Sequence, residues 1–79
     1  MSKSLRSNRH VLLLEQLVQL RKAKGLTQEQ LASKLGKPQS FVAKYEGGER
    51  RLDLLEFLDV MDAIGSDPVQ ILAVLRASG

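Results

Sequence analysis

Between Leu26 and Gly48 the chain reads LTQEQLASKLGKPQSFVAKYEGG, and this stretch constrains the fold more than any other. Ala32 falls mid-way along a short helical pattern, where only a small side chain lets a second helix pass close by. Gly36 stands four residues later, at a turn, where a left-handed backbone costs glycine little. Val42 comes six residues after that, on the face of the next helix that packs back on Ala32. Leu31, Leu35 and Tyr45 extend the pattern into an apolar seam at helical spacing. The spacing predicts two short helices crossing through a tight turn.

The flanking sequence supplies the starts and stops of further helices. A first helix is expected from Asn8 to Lys24, capped by Ser7 or Asn8 and stopped by Gly25, with Leu13, Leu17, Leu20 and Lys24 on one face. Leu14, Val18 and Arg21 fall beside that face. The second helix runs from Gln28 to Leu35, opened by a capping box of Thr27 with Gln30. The third runs from Pro38 to Glu46, with GGER as its exit turn. A fourth, Leu54 to Ile64, opens with Asp53 and Glu56 and closes at Gly65; a fifth opens with Asp67-Pro68-Val69-Gln70 and continues to Ala77. Nothing reads as a strand or a repeat. The expected fold is all-α, five helices, in one domain over residues 8–79, preceded by a flexible basic arm, residues 1–7.

Charge divides the chain. Residues 1–51 hold eleven Lys/Arg and four acids, a balance of +7, whereas residues 52–79 hold Arg76 and five acids, a balance of −4. A basic half that contains the crossed helices suits one face turned toward phosphates. Several chemistries are excluded. There is no cysteine, so disulfides and thiolate zinc sites are out. His10, the single histidine, permits no histidine metal cluster and is expected to be exposed in the first turn of the first helix. No serine or aspartate sits in a nucleophile elbow, and the acids Asp53, Glu56, Asp59 and Asp62 recur as on a solvated helix face. Neither an enzyme nor a cofactor is expected. No apolar run approaches the ~20 residues needed to cross a bilayer, and none forms a signal peptide. The expected setting is cytoplasmic, bacterial or phage-encoded.

From about Leu17 to about Gly65 the chain resembles the phage repressor and Cro-type (XRE-like) helix-turn-helix family. The resemblance rests on Ala32, Gly36 and Val42, on Leu26-Thr27-Gln28 before them, on Gln39-Ser40, on Glu46 and Gly48, and on the helix LDLLEFLDVMDAIG. It implies a lambda-repressor-like domain (motif 27–47) that regulates transcription, as a repressor, by inserting its third helix into the major groove of a double-stranded operator. Gln39, Ser40, Ala43 and Lys44 then correspond to the base-contacting set. A glutamine amide can bond adenine N7 and N6 together, alanine can touch a thymine methyl, and lysine can reach guanine or a phosphate. Thr27 and Gln28 are expected on the backbone, where the second helix's N-terminus favours phosphate, with Lys37, Arg50 and Arg51 as further backbone cations. Pro38 departs from the family pattern, which often has a capping Ser or Thr there. The family also pairs an arginine late in the first helix with a glutamate ending the third. Arg21 and Glu46 match that pair, expected as a partly exposed salt bridge contributing no more than ~1 kcal/mol.

The last helix, VQILAVLRA, carries more apolar residues than one face of a small core absorbs. Val69, Leu72, Val74 and Leu75 are therefore the expected surface of a homodimer that reads a palindrome, with Leu12 on the first helix as a competing surface. Two other functions fit the same residues. One is an antitoxin or other protein-binding module that also holds DNA. The other is a nucleic-acid adaptor without sequence preference, against which stands the scarcity of stacking aromatics beyond Phe41, Tyr45 and Phe57.

Overall fold

α2 (Gln28–Leu35), α4 (Leu54–Ile64) and α5 (Pro68–Ser78) begin where a side chain takes over an orphaned backbone N–H. Thr27 Oγ1 accepts from the Gln30 N–H at 3.0 Å while Gln30 Oε1 accepts from the Thr27 N–H at 2.9 Å. Asp53 and Glu56 repeat the same reciprocal box at 2.7 and 3.0 Å. The carboxylate of Asp67 accepts from the Val69 N–H at 2.9 Å. The computed structural model describes residues 8–78, and the basic arm expected over residues 1–7 lies outside them.

Five helices follow in order: α1 Asn8–Ala23, α2 Gln28–Leu35, α3 Gln39–Glu46, α4 Leu54–Ile64 and α5 Pro68–Ser78. No strand occurs among the described residues. The expected boundaries hold to within a residue. Pro38 is the N-cap of α3 rather than its first residue, with extended φ and ψ of −70° and 155° and no side-chain cap. Gly36 stops α2 in the left-handed region at φ +68°, and the turn is closed by Lys37 N–H donating to Ala32 O at 3.0 Å.

α2 packs on α3 and α4, while α1 packs on α3 and α5. Where α2 packs on α3, Ala32 and Val42 are both buried. Around them close Leu17 of α1, Leu31 of α2, Tyr45 of α3, and Val60 and Met61 of α4, with Ile71 of α5 as a lid. Burying a side chain of this size contributes about 1.5–3 kcal/mol, so this seam dominates the stability of so small a domain. His10 belongs to this interior as well: it is buried, not exposed as its place in the first turn of α1 suggested.

Tyr45 carries a polar atom into that interior. Its hydroxyl is fully buried and has no hydrogen-bond partner among the described residues. Burial, and then the negative charge of Glu46, push its pKa above the ordinary tyrosine value, so the phenol stays neutral.

Candidate nucleic-acid interface

On α3, positions separated by three to four residues share a face. Val42 and Tyr45 are anchored inward, which leaves Gln39, Ser40 and Lys44 exposed on the opposite side with Ala43 half-buried between them. The four expected base readers are therefore brought together on one outward face.

Arg21 and Glu46 form a fork across α1 and α3. Arg21 Nε donates to Glu46 Oε2 at 2.8 Å and Nη2 donates to Oε1 at 3.1 Å. The remaining Arg21 nitrogen, Nη1, donates to Leu26 O at 2.8 Å. The side chains are only 10% and 6% exposed, so this is a buried pair, not the partly exposed one expected. Its closure is local in cause. Glu46 ends α3 beside the last full turn of α1, and the hydrogen bond to Glu46 raises the Arg21 pKa despite burial.

Gln28 joins that fork to the exposed face. Its Nε2 donates to Glu46 Oε1 at 2.9 Å, and its Oε1 accepts from Gln39 Nε2 at 2.8 Å. Both ends of the Gln28 amide are thus engaged within the protein, which its expected place among backbone contacts did not anticipate. Thr27, beside it, is exposed and spends an oxygen lone pair on the cap.

The expected backbone cations divide. Lys37 and Arg51 are exposed, the Lys37 ammonium 5.6 Å from the centre of the Phe41 ring. Arg50 is committed elsewhere. Its guanidinium lies 4.8 Å from the centre of the same ring and forks onto Glu56 at 2.9 and 2.7 Å, with a further bond to Arg51 O. Glu56 is correspondingly not part of a merely solvated acidic face. The Arg50 fork, and then the Asp53 backbone N–H, hold its carboxyl at about 2. The Glu56 capping box was legible in the sequence; the arginine that shares it was not, because the turn between Glu46 and Asp53 has no helical period.

The apolar surface of α5 is smaller than expected and better defined. Val69 and Leu72 are 65% and 46% exposed, and with Ala73, Arg76 and Ala77 they line one open groove. Leu75 is half-buried: it packs against the core and also lines the cleft beside Leu72. Val74 is exposed but stands about 200° round the helix from Leu72 and faces away from the groove. Leu54, in the first turn of α4, is 64% exposed and shares a cleft with Leu72 and Leu13. No helix among the described residues is long and apolar enough to cross a membrane.

The helix-turn-helix family profile matches residues 17–71. No curated protein matches the chain. Among solved structures, an XRE-family like protein from Pseudomonas syringae pv. tomato str. DC3000 is 50% identical, with a TM-score of 0.85 over 89% of this chain and 85% of that one. The restriction-modification controller protein C.Esp1396I is similar at 22% identity and TM-score 0.80, over 91% of this chain and 95% of that one. ClgR, the clp gene regulator from C. glutamicum, is similar at 20% identity and TM-score 0.78, over 92% and 95%. At these identities the last two speak for the fold alone.

Proposed function

The chain belongs to the XRE family of helix-turn-helix DNA-binding regulators, and from that premise we propose that it is a repressor that inserts α3 into the major groove of a palindromic operator. One observation carries the reading. Gln39, Ser40, Ala43 and Lys44 share the outward face of a helix whose other face is locked into the core, so the readers are presented on a rigid element. Lys37 and Arg51 flank that face and serve as phosphate contacts, as does Thr27 at the start of α2. Arg50 is bound to Glu56, and its contribution to the backbone is to hold the turn that carries Arg51.

Two copies joined through Val69 and Leu72, with Leu54 at the edge, would set two α3 helices about 34 Å apart, one turn of DNA. A DNA operator as target fits a cytoplasmic setting, with the protein bacterial or phage-encoded. The exposed α5 groove also favours a second reading, a protein-binding module of antitoxin type, because a different protein could cover the same apolar residues.

Selection of duplexes from a random pool tests the main reading. A selected palindrome should bind far more tightly than random duplex, with affinity falling steeply as salt is raised. Equal binding to both would overturn it. Leu72→Asp should convert the dimer to a folded monomer and reduce affinity for the full palindrome toward that for a half-site. A wild type that is strictly monomeric by light scattering at high concentration would favour the protein-binding module.

A further inference from the structure

A helix lying in the major groove has a phosphate strand along each of its flanks. One flank of α3 is bordered by the start of α2, where Gln28 bonds Gln39. The other carries Phe41, which helical period sets about 200° round from Gln39. We propose that Phe41 is a positioning residue for phosphate binding on this second flank, its ring holding the Lys37 ammonium in place for the strand away from α2. The inference rests on the proposed docking of α3 and adds to it how the second strand is gripped.

The platform is anchored in the core. Tyr45 is fully buried, and Phe41 meets it edge-on, with ring centroids 5.7 Å apart and planes at 70°. The Phe41 N–H donates to Pro38 O at 2.9 Å, which fixes its backbone at the start of α3. Lys37 is pinned at its own backbone. Its N–H donates to Ala32 O at 3.0 Å, and the proline that follows it disfavours the helical conformation there. Only its side chain is left to place, and that side chain forms no hydrogen bond or salt bridge among the described residues. The ring supplies the hold: the ammonium lies over it, 5.6 Å from its centre. An ammonium resting on a ring face still has N–H donors for a phosphate oxygen. A lysine already held gives up less rotamer freedom when the phosphate arrives.

Arg50 shares the ring but is held for another purpose. Its guanidinium lies 4.8 Å from the same centre and forks onto Glu56 at 2.9 and 2.7 Å. Two cations on one ring repel, and the carboxylate offsets that repulsion. The Arg50 fork above all, and the Lys37 charge more weakly, hold the Glu56 carboxyl low, so the three charges form one cluster. The cluster keeps one positive charge in excess, and the ammonium of Lys37 is the member without an acceptor.

Phe41→Leu keeps an apolar contact for Tyr45 and removes the ring. It should weaken binding to the selected operator and to random duplex alike, by roughly threefold. The dependence of log affinity on log salt should also become shallower, as for a lost phosphate contact. A Lys37→Gln background isolates the cause, because there Phe41→Leu should weaken binding by much less. Phe41→Tyr keeps a ring and should recover the affinity that leucine loses. An equal loss in both backgrounds would give Phe41 a packing role alone and overturn the proposal. No loss at all overturns it too, as does tighter binding, which would mean that the ring withholds the ammonium. A second readout needs no DNA. In the NMR spectrum of the free protein, the ring should shift the Lys37 ε-methylene protons upfield of those of the other lysines. Where Phe41→Leu does not fold, an ordinary position for those protons in the wild type overturns the proposal by itself. Wild-type binding that does not separate operator from random duplex would instead overturn base reading by α3, and the Phe41 and Lys37 cycle is then read on either duplex.

Discussion

The two arginine–glutamate forks of this domain are close copies in geometry and opposites in setting. Arg21 and Glu46 meet at 2.8 Å with side chains 10% and 6% exposed, whereas Arg50 and Glu56 meet at 2.7 Å with side chains 39% and 24% exposed. Distance alone would rank them as equals. Burial separates them, because water replaces a lost partner far more readily at Arg50 than at Arg21. They differ in what they hold as well. The buried fork ties α1 to the end of α3; the exposed fork stacks on Phe41 and fixes the turn into α4.

The largest test removes one partner of the buried fork. Glu46→Ala should cost about 3–5 kcal/mol in urea unfolding, since it strands the Arg21 charge in the interior. That is a large share of the 5–15 kcal/mol typical of whole domains, given roughly. Replacing both partners together, as Arg21→Met with Glu46→Leu, should restore much of the loss. A single-substitution cost no greater than that of Arg50→Ala would break the comparison.

The exposed fork should respond to conditions more than to deletion. Arg50→Ala should lower stability less than Glu46→Ala, and the difference from wild type should shrink as salt is added. Its pH dependence has a definite sign. Glu56 is lowered from the ordinary 4.5 to about 2, so its contribution is fully present above pH 4.5 and is lost as pH falls through the window down to about 2. Thermal melts of Glu56→Gln should therefore lie below wild type at neutral pH and converge with it at the acid end. A gap that stays constant across the window would show that the carboxylate charge plays no part.

The smallest effect lies between the forks. Tyr45 sits edge-on to Phe41, with ring centroids 5.7 Å apart, and next in sequence to Glu46. Because its buried hydroxyl has no partner, Tyr45→Phe should leave the melting temperature unchanged or slightly raised. A clear drop would reveal a hydrogen bond at that hydroxyl and tie the two forks together through the aromatic pair.

What was legible in the sequence was what short-range rules govern. Capping boxes join residues three apart, so Thr27 with Gln30 and Asp53 with Glu56 placed α2 and α4 to the residue. Ala32, Gly36 and Val42 encode their crossing through side-chain size and one left-handed turn, and the Arg21–Glu46 pair followed from the family resemblance. The four residues on the outward face of α3 also followed, because helical period assigns faces once the inward residues are known.

Tertiary structure decided everything that depends on distance between elements. His10 was placed outward by its position yet is buried, and Leu75 is half-buried against the core, because which flank of a helix is sealed depends on the elements packed beside it. Gln28 and Gln39 lie eleven residues apart on different helices, so no period announces that their amides meet. Arg50 counts as one more cation in the sequence, and only the fold of the turn brings it over Phe41 and onto Glu56. The sequence by itself therefore determined the helices, the crossing and the face that looks outward. The fold decided which charges are free to meet a phosphate and which are already spent, because a charge is free or spent according to what lies within about 3 Å of it, and helical period says nothing of neighbours on another element.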